Sequence, residues 1–557
     1  MRNGERLAVF AKKKGCYAFF ALTVLVTLYM DVYMARNIMD GEASGLLYRA
    51  FIMARENNLF TTEGLIYSNE IGIFGVSYYF APFFKLFSSW TMVRVCGTAF
   101  MQALYTLSFL YLTKQLEIGK PARWFSASLL LLPFSTTYAR MILYHLYYLP
   151  FLTYSFFLLG LLLRLLKAPR ETPRKAVLPA VLFALLWVAV GMNGVRHLII
   201  LLAPLFVQYA VLVLLDLRHT NDLRGWLRTN DMRERNTLLR LLVLLMYSLV
   251  FFFIGYLLNV KYLIPYYSSV NVSEGTLLMP FVDADKLGWV LSVFLICIGF
   301  RNSALSAMSA RSAALAFSLL SFGFIGWCSY HSGYRSKEET SLPRKWIYGS
   351  YLSMLLFTLF IFVFNWGVWA YENYFVPAVV IAFPILAMEL DRLKDACLSC
   401  ARRVLILLTC VAFLFQSGYT IYWLHHKNTS LLDIWSGINY HEVMITDCNQ
   451  DCVDFMHIYG YTYGMLPYWF ANTAIEMSDG DLVIAPYSIN EETGHIELMD
   501  IPSRPTFTRA ELPDTIIVFV QNDLREVFLE SYPSAEYVHN GANFSGMEVA
   551  TDLIIKQ

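Results

Sequence analysis

KKKGCYAFFALTVLVTLYMDVYMARNIMDGEAS, residues 12–44, decides the class of this protein. Three lysines precede an apolar block (17–34) of the length that crosses a bilayer core as one helix, and acidic residues follow just beyond it. The block lacks a small-residue cleavage site and more blocks come after it, so it reads as an anchor and not a removed signal peptide. Arg2, Arg6, Lys12, Lys13 and Lys14 put the N-terminus in the cytoplasm. Outward from this stretch the pattern repeats. Of 557 residues, 57% are apolar and only 15% charged, too few charges to cover a soluble body of this size. Aromatic residues make up 16%, and Tyr and Trp gather at block ends, where an interfacial belt would hold them. A net charge of +1, with no strongly basic segment outside short loops, excludes a nucleic-acid partner.

The expected fold is an α-helical polytopic membrane protein with about eleven transmembrane helices and a small C-terminal extracytoplasmic domain, α/β or mainly β. Basic loops at Lys114–Arg123, Lys167–Lys175, Arg218–Arg240, Arg335–Lys345 and Arg392–Arg403 all fall in the cytoplasm if 71–89 and 287–300 do not cross. Pro82 and Lys85 break the first of these, and Lys286 and Arg301 flank the second, so both read as re-entrant or interfacial. The crossings are then 17–34, 92–113, 124–139, 146–166, 176–191, 198–216, 241–258, 312–329, 346–364, 374–390 and 404–424. A membrane domain (1–426) with an outer loop at 35–90 precedes a C-terminal domain (427–557). Within the outer loop, Leu46–Asn58 has helical apolar spacing suited to a helix lying on the membrane surface. In the C-terminal domain, Asp481–Ala485 and Thr515–Val520 read as strands, with a turn at Ser478-Asp479-Gly480. Nine scattered cysteines form no disulfide framework. Cys397 and Cys400 make a lone CxxC without a second ligand pair, and Cys448 and Cys452 can pair if their side is oxidising.

The chemistry concentrates in the outer loops. Met39-Asp40-Gly41-Glu42-Ala43-Ser44 sets two carboxylates at the lipid–water boundary, where one can serve as general base on an acceptor hydroxyl and the other can hold a cation or donor sugar. The plainer alternative is a solvated helix terminus, with Asp-Gly as a turn and Glu42 as a cap. Gly191-Met-Asn-Gly-Val-Arg-His197 lies at an outer helix junction. Arg196 is suited to hold a phosphate bidentately, or else snorkels to headgroups. Arg140 and His145, followed by Tyr147 and Tyr148, either line the same cavity or belong to the aromatic belt. Trp366, Trp369, Tyr371, Glu372 and Tyr374 form another outer cluster, able to stack on sugar rings and hydrogen-bond hydroxyls, or to anchor the belt. Gly460–Trp469 is unusually aromatic for an exposed segment and either docks at the membrane mouth, binds glycan, or fills a small-domain core. No P-loop, dinucleotide fingerprint, nucleophile elbow, EF-hand or helical zinc spacing occurs.

Taken together, the first helix, the MDGEAS segment opening a long outer loop, Glu70 in YSNE, the number of crossings and the C-terminal domain on the same face resemble the GT-C superfamily of membrane glycosyltransferases. The segment YGYTYGMLPYWFANTAIEMSDG (459–480) is also similar to the tail domain of uncharacterised bacterial membrane glycosyltransferase-like proteins. The resemblance implies transfer of a monosaccharide from a polyprenyl-phosphate donor to a glycan, lipid or protein acceptor at the outer face, among membrane lipids. It implies Asp40 as first catalytic residue and Glu42 as second, with Asp-Gly-Glu in place of the crisper acidic signatures of the family and a divalent cation allowed for but not required. Arg196, Glu70, Arg140, His145, Glu372 and Tyr374 are the expected substrate-binding residues. A transporter or flippase of a lipid-linked substrate and a non-catalytic envelope-assembly scaffold are the alternatives. The first is disfavoured by charges that sit at block ends and by the lack of a half-repeat.

Overall fold

The computed structural model describes residues 3–58, 74–167, 173–220, 232–266, 282–300, 309–335, 341–365, 372–396, 398–426, 444–499 and 512–554. Among these, nine helices are long and apolar enough to cross a membrane: Lys14–Asn37, Trp90–Gln115, Leu149–Lys167, Leu198–Leu215, Asn236–Leu263, Ser312–Arg335, Leu342–Phe364, Glu372–Arg392 and Cys400–His425. The 23 residues of Leu342–Phe364 reach about 35 Å, beyond the roughly 30 Å of a hydrocarbon core. Large apolar side chains face outward along these helices, with Leu25 64%, Val243 66% and Leu214 60% exposed. Such a surface is stable against lipid and not against water. The protein is therefore a multi-pass membrane protein.

Each of the nine coincides with an expected crossing. The expected span at 176–191 lies in the helix Pro173–Met192, whose apolar part, Ala176–Met192, is shorter. The expected span at 124–139 differs more. Its helix, Lys120–Leu131, stops at extended Leu132 before Pro133, and a new turn starts at Ser135, whose hydroxyl accepts the Tyr138 N–H. Proline forces the preceding residue out of the helical region, and Ser135 recaps the chain. The two stretches read as non-crossing are short. The chain at 76–85 is two brief helical turns, and Ala284–Cys297 covers only about 21 Å in its 14 residues.

We name the helices that build the site α1 (Asn3–Asn37), α2 (Gly41–Glu56), α3 (Trp90–Gln115), α4 (Met444–Tyr459) and α5 (Tyr468–Met477). Helix α2 is the expected amphipathic helix of the first outer loop, ended by Asn57 in the left-handed conformation at φ 53. Its apolar face packs on protein. Leu47, Ala50, Ile52 and Met53 are buried, and even Arg49 is only 8% exposed, because α2 is covered by 76–85 and by α5.

The C-terminal part is a six-stranded mixed sheet: β1 (Tyr463–Pro467), β2 (Val483–Ile489), β3 (Ile496–Leu498), β4 (Thr515–Gln521), β5 (Glu536–Asn540) and β6 (Phe544–Ala550), in the order β3-β2-β1-β4-β6-β5. β1 runs parallel to β2 and β4, and the other pairs are antiparallel. The run TIIVFV is a strand throughout as expected and DLVIA enters its strand at Val483, but both sheet faces over β4 are buried. Ile517 and Phe519 join the core that continues into the membrane helices, while Ile516, Val518 and Val520 belong to a separate core on the far face. A strand covered on both sides loses its alternation, as these two do.

Candidate functional site

The site forms where α1 ends, α2 begins and α3 begins, on the side of the bundle that carries the sheet. Asp40 is the N-cap of α2: its Oδ1 accepts the N–H groups of Glu42 at 3.0 Å and Ala43 at 3.1 Å. Asp40, and not Glu42, therefore caps the helix. Its other oxygen, Oδ2, accepts from Arg140 Nη2 at 3.0 Å, and His145 Nε2 lies 3.6 Å from Oδ1. Glu42 sits on the same turn, with its side chain 48% exposed and its Oε2 2.7 Å from His145 Nε2.

A local irregularity brings Arg140 and His145 together. Five residues apart in an α-helix, they would face different ways. Here Arg140–Tyr144 is one π turn, closed by the His145 N–H to the Arg140 carbonyl at 2.9 Å, which turns both side chains toward Asp40. Leu146 follows in the left-handed conformation at φ 62, a strained place for a branched side chain, and is held there by complete burial. The turn is braced from α3. Gln102 Nε2 donates to the Ile142 carbonyl and to Asp31 Oδ1, both at 2.8 Å, and Arg94 Nη1 donates to the Tyr144 carbonyl at 3.0 Å. The buried Asp31 carboxyl group within the first span is thus tied to the backbone of the site through Gln102.

Burial alone would push the Asp40 carboxyl up. The charges of His145 and Arg140, with the Ala43 N–H, outweigh it and hold the group at about 2. Glu42 is treated alike: desolvation raises it, but the hydrogen bond and charge of His145 bring it below its ordinary value. Both carboxylates are ionised at neutral pH. Asp40, Glu42 and His145 present ligand atoms within 4.8 Å of one another, a donor set of two carboxylates and an imidazole. Hard oxygens with one nitrogen suit a divalent cation, and His145 Nδ1 is buried with no hydrogen-bond partner. The Arg140 guanidinium against Asp40 works the other way, competing with any cation for the same carboxylate.

A second group adjoins the first. The His145 ring lies 6.1 Å from Tyr147, and the Arg196 guanidinium lies over Tyr147 at 4.9 Å, Tyr148 at 5.4 Å and Phe151 at 5.3 Å. Arg196 Nη1 also donates to the Tyr148 hydroxyl at 3.3 Å. Gly194, at φ 82, makes the break after Pro173–Met192 that turns Arg196 toward these rings. Tyr374 completes the wall, 6.3 Å from Tyr148 and stacked on Phe362. Glu372 opens the same short turn, and among the described residues no direct contact joins it to Asp40 or Glu42. Glu70, Trp366, Trp369, Tyr371 and Cys397 lie outside the described residues, as does the Cys448 side chain.

Sequence reading missed the contribution of α5. Its Glu476 receives Arg94 on both carboxylate oxygens and Ser44 on one, and Asn472 Nδ2 donates to the Gly41 carbonyl at 3.4 Å. Asp479 Oδ1 accepts the Trp90 N–H at 2.7 Å, so α3 is capped from the C-terminal domain. Gly480, at φ 82, lies so close to Trp90 that an added Cβ would meet its ring at 2.7 Å. Tyr468 opens α5 beside the carboxylates: burial, with the charges of Glu42 and Asp40, pushes its phenol up and keeps it protonated. The aromatic run 460–469 was the one sequence signal for this docking.

No family model matches the chain, and no curated protein matches it. Among solved structures it is similar to ArnT from Cupriavidus metallidurans bound to undecaprenyl phosphate. Identity is 12% over 98% of this chain and 99% of that one, with a TM-score of 0.48. It is also similar to the oligosaccharyltransferase AglB from Archaeoglobus fulgidus, in complex with an inhibitory peptide and a dolichol-phosphate. Identity there is 12% over 85% of this chain, with a TM-score of 0.45, and the chain spans 64% of the length of AglB.

Proposed function

We propose that this chain is an inverting membrane glycosyltransferase of the GT-C kind, moving a monosaccharide from a polyprenyl-phosphate donor to an acceptor hydroxyl at the outer membrane face. The observation that carries the reading is the gathering of Asp40, Glu42, Arg140 and His145 at the helix ends, with one carboxylate still half exposed. Glu42 is the better general base. Asp40 already accepts two N–H groups and a guanidinium, whereas Glu42 bonds His145 and opens to solvent. Glu42 would take the proton of the acceptor hydroxyl as its oxygen attacks the anomeric carbon from the face opposite the phosphate. The bond from that carbon to the phosphate oxygen then breaks, and the departing polyprenyl phosphate needs positive charge more than a proton. Arg196, in an aromatic wall suited to the first carbons of a lipid chain, would supply it. Asp40, Glu42 and His145 would hold a divalent cation, which would add charge stabilisation to the same phosphate.

The test is sugar transfer from a panel of radiolabelled polyprenyl-phosphate monosaccharides by purified protein in lipid, with Glu42→Gln and Asp40→Asn alongside. Label moved to acceptor by the wild type and lost in Glu42→Gln is the expected result. Transfer that survives both substitutions would falsify the assignment, and a wild type that binds no donor would favour the scaffold alternative.

A further inference from the structure

We propose that Glu476, on the C-terminal domain, is the positioning residue that holds the two halves of the acid cluster against each other. The inference rests on reading that cluster as the site of transfer. One half is the opening turn of α2, with Asp40 and Glu42. The other is the π turn carrying Arg140 and His145, a hundred residues later in the chain. Glu476 reaches both. Ser44, in the first turns of α2, donates from Oγ to Glu476 Oε2 at 2.6 Å. Arg94 donates from Nε to Oε1 at 2.7 Å and from Nη2 to Oε2, and spends its remaining Nη1 on the carbonyl of Tyr144, the last residue of the π turn.

The geometry permits little slack. The Arg94 and Glu476 side chains are 3% and 2% exposed, so neither has water as an alternative partner. A planar guanidinium bonded through two nitrogens to one carboxylate fixes the direction of its third donor. Moving Glu476 therefore moves the carbonyl of the last residue of the π turn and the hydroxyl that anchors α2. Asn472 on the Gly41 carbonyl and Asp479 on the Trp90 N–H keep α5 and the turn after it pressed to α2 and to the start of α3. Sequence distance hides the arrangement, since the Arg94–Glu476 contact spans 382 residues. The C-terminal domain is then part of the site, not an appendage to it.

Hydrogen–deuterium exchange of the full-length protein in lipid nanodiscs reads both halves without any substrate. Glu476→Leu combined with Arg94→Leu removes the pair without leaving a lone buried charge. In this double variant, residues 38–46 and 140–147 are expected to exchange at least tenfold faster, together, while 149–167 and 515–521 keep wild-type rates. Ser44→Ala, which cuts one link and leaves the ion pair, should loosen 38–46 alone. In the transfer assay the double variant should lose at least tenfold in kcat with the donor KM within twofold. Unchanged exchange at 140–147 in the double variant overturns the proposal. If that variant unfolds globally, Ser44→Ala decides, and wild-type exchange at 38–46 there overturns it as well. A wild type that transfers no sugar, but whose two segments respond as expected, overturns the glycosyltransferase reading and leaves the positioning role standing.

Discussion

Two of the buried acid and arginine clusters in this molecule, one at Glu389 and one at Asp40, differ in how completely they are closed. At Glu389, Arg402 donates from Nε and Nη2 at 2.8 and 2.7 Å, the Tyr348 hydroxyl donates at 2.6 Å, and Arg392 stands 3.6 Å away. The carboxylate is 1% exposed and both oxygens are engaged. At Asp40 the inner carboxylate is equally engaged, but its neighbour Glu42 is half exposed and His145 keeps one nitrogen without a hydrogen-bond partner. A closed cluster joins helices, whereas an open one has capacity left for a ligand. Unspent hydrogen-bonding capacity, and not the burial of charge, is what distinguishes the two clusters.

Activity should separate the two most widely. Glu42→Gln is expected to lower kcat by about 10²–10⁴-fold, the range of a lost general base, with the melting temperature little changed. Glu389→Gln should leave kcat per folded molecule untouched, and a matching loss in both would erase the distinction. Stability should separate them next, in the opposite sense. Glu389→Gln leaves Arg402 without its buried anion, so about 3–5 kcal/mol should be lost, read as a lower midpoint in thermal or detergent unfolding.

A smaller effect comes from Asp40 and depends on pH. Its folded value of about 2 lies below the ordinary 3.8, so its contribution is present in full above about pH 4 and is lost as pH falls toward 2. The gap of nearly two units corresponds to about 2 kcal/mol. The wild type should therefore exceed Asp40→Asn in stability by that order at pH 7 in chelator-treated buffer, and the two should converge on acidification. A difference that persists at pH 2 would mean that the cap geometry, and not the charge, matters. The smallest expected effect is at Arg196. Lysine keeps the charge but loses the planar face over Tyr147, Tyr148 and Phe151, so Arg196→Lys should raise the donor KM by roughly tenfold with little change in kcat. An unchanged KM would remove Arg196 from the donor site.

Sequence by itself determined the membrane class, because a bilayer leaves an apolar run of about 20 residues few other places to go. It also marked Asp40, Glu42, Arg140 and His145, through their placement at the ends of such runs. Helix α2 was legible as a helix from its spacing, but its partner was not, because the same amphipathic face fits a lipid surface or a protein core. The apolar run TIIVFV was legible as a strand, but not which parts of the molecule cover its two faces. Only the tertiary structure decided that Asp40 is spent as a cap while Glu42 remains open, since the two differ by two positions and nothing in their identity. It alone decided that the π turn brings Arg140 and His145 to one side, and that Glu476 meets Arg94. Buried polar groups must be satisfied by whatever the fold brings within reach, and that reach is set in space, not along the chain.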